Sequence, residues 1–175
     1  LIITHFDRDH IGGAADVIDA FPVKRLLEPD YEPESPDSEE YLAYRDAISR
    51  NQIQAESLND DLQLNIGGMR MQIYTANAVY DKNIDNNNSL VVDLTHEGNR
   101  FLFTGDIEKQ RIQDMLEQKQ INSCDFLKVP HHGRYNSALN DLFEAASPTY
   151  AAITCSVKNP PEQETLDALE AVGCI

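Results

Sequence analysis

Residues 1–13, LIITHFDRDHIGG, constrain this chain more than any other stretch. An apolar run, Leu1-Ile2-Ile3, ends abruptly in His5, Asp7, Asp9 and His10, and Gly12-Gly13 follow. The run is too short for a helix and reads as the end of a buried parallel strand. Side chains alternate along a strand, so an extended backbone past Thr4 aims His5, Asp7 and Asp9 the same way. His10 then opens a new element, a helix starting near Ile11. Acidic residues alone at such a junction read as helix caps. Two of the chain's five histidines beside them do not. Imidazole and carboxylate at this density suit a divalent transition metal such as Zn, Mn or Fe.

The same pattern, an apolar strand running straight into polar chemistry, recurs twice. Phe101-Leu-Phe-Thr-Gly105-Asp106 places a carboxylate just after a glycine that permits a sharp turn. Asp125-Phe-Leu-Lys-Val-Pro-His131-His132-Gly133 ends a strand in two adjacent histidines, which point in different directions. One can ligate a metal while the other faces substrate. Sites in α/β sheets form where strand ends gather. Three such ends in one chain argue for a metal centre more strongly than any one of them.

These motifs resemble the metallo-β-lactamase superfamily. His5-x-Asp7-x-Asp9-His10 is similar to its HxHxDH signature with Asp for the second His, the form seen in ComEC-like bacterial DNA-uptake (competence) proteins and in phosphorylcholine esterases. Asn88-Ser89-Leu-Val-Val, Thr104-Gly105-Asp106, Pro130-His131-His132-Gly133 and Lys158-Asn-Pro-Pro resemble later motifs of the ComEC-like form. The resemblance implies an α/β (α+β) fold, an αββα sandwich spanning 1–175 as a single domain. It also implies a chain that begins in mid-sheet and stops where a strand would start, an excised piece lacking its first strands and last strand. Two divalent ions, Zn or Mn, are implied. His5 and Asp7 would hold the first. Asp9, His10 and His132 would hold the second, with Asp106 bridging. Asp9, Asp106 and His131 would act in catalysis, His131 facing the scissile bond. The sequence departs from most members in having no further His at the first site. Loop groups such as Asn87 or Asn88, or water, would complete it.

Chemistry follows from that ligand set. Two cations close together lower the pKa of a bridging water and hold a tetrahedral oxyanion. Hydrolysis of a phosphodiester by a metal-bridged hydroxide is the leading expectation. Carboxylic ester or thioester hydrolysis is the alternative, and a non-catalytic binding remnant is the rival from another class. Arg134, Arg8 and Asn88 are the candidates for contacting a bound phosphate. A net charge of −16, from 30 acidic against 14 basic residues, disfavours broad binding to a phosphate backbone. A small phosphoester or a short nucleic acid is the better partner.

The remaining stretches read as ordinary scaffold. Ile11, Ala14, Ala15, Ile18 and Phe21 mark one helical face that Pro22 ends, and 23–27 is a short strand. The acidic, proline-rich run 28–40 is an exposed loop. A helix runs from Ser38 to about Gln54, with Tyr41, Tyr44 and Ile48 inward. Residues 62–66 and 69–74 form one hairpin. A polar loop covers 75–88, and 90–95 with 100–104 form a second hairpin with His96 at its surface turn. Residues 107–118 are an amphipathic helix with Ile112, Met115 and Leu116 inward. Cys124, Cys155 and Cys174 are scattered, and Cys155, closing an apolar run, reads as a buried reduced thiol. With no apolar stretch near a membrane-span length, the expected compartment is the cytoplasm.

Overall fold

The structure, a computed structural model, describes residues 1–80 and 82–175. Asp81, within the polar loop expected over 75–88, lies outside the described residues. Leu1–Ile3 runs parallel to β1 (Leu26–Pro29): Ile3 N donates to Leu27 O and Leu27 N to Leu1 O, both at 2.9 Å. The connection between them is α1 (Arg8–Ile11) and α2 (Ala14–Ala20). After β1 comes α3 (Glu39–Arg50), whose Ser38 cap accepts from Tyr41 N. The chain returns through β2 (Ala55–Leu58), parallel to β1, to close a small sheet.

A second, six-stranded sheet follows in chain order: β3 (Leu62–Ile66), β4 (Met69–Tyr74), β5 (Val91–His96), β6 (Asn99–Phe103), β7 (Phe126–Lys128) and β8 (Tyr150–Ala152). Its first four strands are antiparallel, joined where Gly67-Gly68 and Glu97-Gly98 adopt positive φ. That pair of left-handed residues makes the tight turn whose twist matches a hairpin. The strands β6, β7 and β8 are parallel, which requires crossovers. Helices α5 (Lys109–Glu117) and α6 (Ala138–Ala146) supply them. The short turn α4 (Ile84–Asn87) precedes β5, and α7 (Gln163–Ala171) follows β8.

Alternation along the strands builds four layers. Leu26 packs outward with Ile11, Ile18, Tyr44 and Ile48, under α1 to α3. Its neighbour Leu27 points the other way, between the sheets, onto Leu58, Ile73, Leu90 and Val92. Across the large sheet, Val91, Leu102 and Leu127 face Ile112, Met115, Leu139 and Phe143 of α5 and α6. The result is the expected αββα order, helices outside and two sheets within. Each fully buried Leu, Ile or Phe contributes about 1.5–3 kcal/mol. No helix among the described residues is long and apolar enough to cross a membrane.

The structure corrects several details. Helix α1 starts at Arg8, not near Ile11, because the Asp7 carbonyl already accepts from His10 and Ile11 N–H groups. Phe21 is 65% exposed, since α2 ends at Ala20 and the chain turns away. Glu28 belongs to β1 instead of the exposed loop. It is 5% exposed, held by the Tyr44 hydroxyl at 2.5 Å, Arg45 and Ser57. Strand β2, with two exposed polar residues, shows none of the apolar alternation that marks a strand. Cys155 is exposed, because β8 stops at Ala152 and the following residues form a rim.

Candidate metal centre

Three strand ends meet on one side of the molecule. The first carries His5 and Asp7, on extended backbone as far as Asp7 (φ −63°, ψ 144°). Strand alternation therefore covers those two residues only. Asp9 and His10 ride on α1, one turn further along. The second end carries Asp106. Gly105 before it has φ +57°, and a Cβ there would meet the Ser89 Cβ at 2.6 Å. Glycine is thus required for both conformation and space. The third end is Pro130–Gly133, where His131 (φ 45°) and His132 (φ 55°) both adopt left-handed backbone. Such non-glycine residues cost about 1–3 kcal/mol each, which surrounding structure must offset.

The strain turns the two imidazoles apart. His132 Nε2 lies 3.0 Å from Asp106 Oδ2, 3.1 Å from Asp9 Oδ2 and 3.4 Å from His10 Nε2. His10 Nε2 is itself 3.2 Å from Asp106 Oδ2. His131 points elsewhere, its Nδ1 3.2 Å from Glu108 Oε1. His132 Nδ1 donates to the Thr154 carbonyl oxygen at 2.6 Å. A carbonyl can only accept, so Nδ1 carries the hydrogen of that bond and Nε2 is the nitrogen turned toward the carboxylates. Nε2 thus converges with two carboxylate oxygens and His10 Nε2, a donor set that a divalent cation fits.

His5 gives a second indication. It is fully buried, and its Nε2 has no hydrogen-bond partner. Nδ1 lies 3.1 and 3.2 Å from the Thr4 and Ser89 hydroxyls, while Nε2 is 3.6 Å from Asp7 Oδ2. Buried polar atoms left unpaired are costly and uncommon. Nδ1 is engaged by the two hydroxyls, which leaves Nε2 as the nitrogen directed toward Asp7, the orientation of a metal-binding imidazole. His5, His10 and Asp106 can bring three donor atoms within 4.8 Å of one another, and so can Asp9, His10 and His132. Nitrogen and carboxylate donors at these separations fit divalent transition cations.

Asp106 is the hinge between the groups. Burial would raise its pKa. Hydrogen bonding to His10 and the charges of Lys128 and His10 outweigh this and hold the carboxyl well below the usual range. Lys128 Nζ sits 3.0 Å from Asp106 Oδ1 and 2.7 Å from the Gly105 carbonyl. Oδ2 alone is thereby left for His10 and His132. Ser89 Oγ accepts from Asp106 N at 3.1 Å and also touches His5, tying the first strand end to the second. Burial lowers the pKa of His5. The adjacent His5 imidazole holds Asp7 below its ordinary value, while burial pushes Asp85 up to about 6.

Above these groups opens a cleft of about 1010 Å³. Arg8, Arg134, Lys158 and His131 line it, with Thr154–Ser156 on the rim. Asn88, a candidate substrate contact in the sequence, is not in this cleft. Its amide donates to Ile84 O at 2.8 Å and closes the α4 turn. Asn87 is likewise engaged, accepting from Glu108 N and donating to Lys82 O. Reading the sequence missed Lys128, Ser89, Thr154 and Glu108 as supports. Lys128 had a visible signal, a lone charge within the apolar run of β7, and Ser89 lay inside the Asn88-Ser89-Leu-Val-Val motif; Thr154 and Glu108 had none.

Comparison with known proteins agrees with this geometry. The family model for the metallo-beta-lactamase superfamily matches residues 1–156. ComE operon protein 3 of Bacillus subtilis (strain 168) is 30% identical over 173 residues, covering 97% of this chain and 22% of that protein. Recombination protein 2 of Haemophilus influenzae is 28% identical over 160 residues, 91% of this chain and 18% of that protein. The chain thus spans about a fifth of the length of these curated relatives. Among solved structures, the metallo-beta-lactamase fold protein YhfI from Bacillus subtilis aligns with a TM-score of 0.57 at 11% identity, covering 98% of this chain and 70% of that one. CmlA beta-hydroxylase (E377D mutant) aligns at 0.55 and 15% identity, over 86% of this chain and 35% of that one. These two likenesses are of fold alone. With the family match running from the first strand end through the third, the chain belongs to the metallo-β-lactamase superfamily.

Proposed function

We propose that this chain is a metal-dependent hydrolase of phosphodiester bonds, working with two divalent cations, Zn or Mn. The observation that carries the reading is the convergence of His132 Nε2, His10 Nε2 and the Asp9 and Asp106 carboxylates, with the buried His5 Nε2 close by. His5 and Asp7 would hold one ion and Asp9, His10 and His132 the other, with Asp106 between them. Bound there, the ions would lower the pKa of a water and neutralise the oxygens of a phosphoryl group.

The chain's own residues do the rest. Thr154 fixes the tautomer of His132. Ser89 and Lys128 hold Asp106 so that Oδ2 alone faces the reacting region. Arg8, Arg134 and Lys158 line the cleft beside Asp7, Asp9, Asp106 and Glu162 and supply cations suited to hold phosphate oxygens. His131, paired with Glu108 and lining the same cleft, is placed to give a proton to the departing oxygen. The name Recombination protein 2 connects one relative with nucleic-acid processing, and the phosphodiester is the bond such processing breaks. The acidic remainder of the surface favours a short single strand or a small phosphodiester over duplex DNA.

The test is hydrolysis of bis-p-nitrophenyl phosphate by chelator-treated protein after adding Mn²⁺ or Zn²⁺. Turnover that appears with metal and disappears in Asp106→Ala supports the reading. Full metal loading without turnover on this substrate or on a short oligonucleotide refutes it.

A further inference from the structure

The asparagines around α4 spend their side chains on one residue of another element. Glu108 stands two positions after Asp106, just ahead of α5, and its side chain makes no capping bond to that helix. Asn86 Nδ2 donates to its Oε1 at 2.8 Å, and the Asn83 amide donates to its Oε2. Its backbone N–H donates to Asn87 Oδ1 at 3.0 Å. Asn87 is fixed in turn by its own amide, which donates to Lys82 O at 3.1 Å. Asn83 holds its place by opening the turn in left-handed backbone (φ 48°). A glutamate at a helix start ordinarily caps the helix or extends into water. This one is gripped through both carboxylate oxygens and its own N–H.

The grip aims the carboxylate at the third strand end. Glu108 Oε1 lies 3.2 Å from His131 Nδ1, and among the described residues Glu108 forms no ion pair with Lys or Arg. The His131 backbone is itself fixed in left-handed conformation, with its carbonyl accepting from Arg134 N at 2.9 Å. Its ring lies 6.2 Å from that of His132 between centroids, and it lines the cleft with Asp9, Asp106 and His132. With Nδ1 turned to a carboxylate, Nε2 is the nitrogen left to the cleft. A third group that orients an imidazole in this way decides which nitrogen meets the substrate.

We propose that Glu108, held by the asparagines of α4, is the positioning residue of His131, and that the pair fits this site to phosphodiesters of alcohols. This rests on the phosphodiesterase reading above. In the step it serves, the oxygen of a water forms a new bond to phosphorus and the bond from phosphorus to the departing oxygen breaks. The hydrogen on His131 Nε2 moves onto that oxygen as it takes the electron pair. The water's proton passes to solvent and Nε2 takes one back, so diester and water become monoester and alcohol. A sugar alkoxide is too basic to depart readily without that proton, whereas a nitrophenolate departs unaided. Proton donation by a positioned side chain contributes about 10²–10⁴-fold, and it does so only where the departing group needs it.

The test compares Mn²⁺-loaded wild type and Glu108→Gln on two diesters of thymidine 5′-phosphate, its p-nitrophenyl ester and the dinucleotide thymidylyl-thymidine. The two differ in the departing oxygen, a phenolate against a sugar alkoxide. In Glu108→Gln, kcat on the dinucleotide should fall about 100-fold further than kcat on the aryl ester, with KM for both and the number of bound ions kept. His131→Gln should show the same preference, and the double variant should lose no more than His131→Gln alone, because one residue acts through the other. Should Glu108→Gln melt early, Asn86→Ala, which removes one donor to Oε1, should move the same ratio in the same direction. Equal losses on the two esters, losses that multiply in the double variant, or a ratio that Asn86→Ala leaves unmoved would overturn the assignment and leave the phosphodiesterase reading intact. So would a wild type that cleaves the aryl ester and not the dinucleotide. Fully loaded wild type that cleaves neither ester would overturn both.

Discussion

Lys128→Met isolates how much of the site's stability depends on a cation. The lysine side chain is 15% exposed and that of Asp106 is 3% exposed, with Nζ 3.0 Å from Oδ1. At that distance two unit charges attract by about 5.5 kcal/mol for an effective dielectric near 20, before desolvation is subtracted. Methionine preserves the unbranched stem and removes the charge. The buried carboxylate then loses its one lysine partner, a change that costs about 3–5 kcal/mol in comparable buried pairs. For a chain of this size that corresponds to a fall in Tm of about 6–20 °C. A divalent cation held as proposed would supply positive charge to the same carboxylate. The deficit should therefore be full in chelator-treated protein and shrink by half or more when Mn²⁺ is saturating. Thermal unfolding of wild type and variant, each with and without metal, measures all four corners of this comparison. An equal loss with and without metal would show that Lys128 acts through packing alone, and a loss below about 1 kcal/mol would show that the pair is no better than an exposed one.

Two other perturbations probe the supports. Ser89→Ala removes the hydroxyl that joins His5 Nδ1 to Asp106 N. It should cost about 1–3 kcal/mol in urea unfolding, because a buried donor loses its partner. It should also weaken metal binding about 10–100-fold by chelator competition. A thiol-reactive chromogen should label the exposed Cys155 first. Cys124 should react only when the core opens, since burial pushes its thiol up to about 11. Immediate reaction of all three thiols would contradict the packing of α5 and α6 on the large sheet.

The parts of the fold that could be read from the sequence are those whose cause is local. Both antiparallel hairpins are visible because a single dipeptide must hold positive φ between alternating runs, as at Gly67-Gly68. The inward faces of α3 and α5 are visible because Tyr44, Ile48, Ile112 and Met115 recur at helical spacing. What stayed hidden depends on distant partners. Ala55–Leu58 is a strand because β1 lies beside it, and nothing in its own composition requires that. Glu28 is buried because Tyr44 and Arg45, on the following helix, satisfy its carboxylate. Without knowing where that helix docks, an acidic residue next to Pro29 reads as solvent-facing.

The candidate site divides along the same line. Its donors were legible because each follows directly on an apolar strand end, where packing gives no reason for His or Asp. Their supports were not, because support is a tertiary property. Lys128 could as well have extended its charged end to water; it turns inward because Gly105, held at positive φ, brings a carbonyl and Asp106 within reach. Asp85 is the extreme case. In a run reading Asp-Asn-Asn-Asn it has the composition of a solvated loop. A backbone N–H from Glu34, 51 positions earlier in the acidic, proline-rich segment, donates to its carboxylate. That segment is therefore more than a linker. Its Tyr31 ring packs on Phe6 at 5.1 Å between centroids, the Tyr31 hydroxyl oxygen accepts from Phe6 N, and Glu34 N reaches the Asp85 carboxylate. A stretch that composition assigns to solvent instead packs against the first strand end, and substitutions at Tyr31 should be felt there before they are felt in the core.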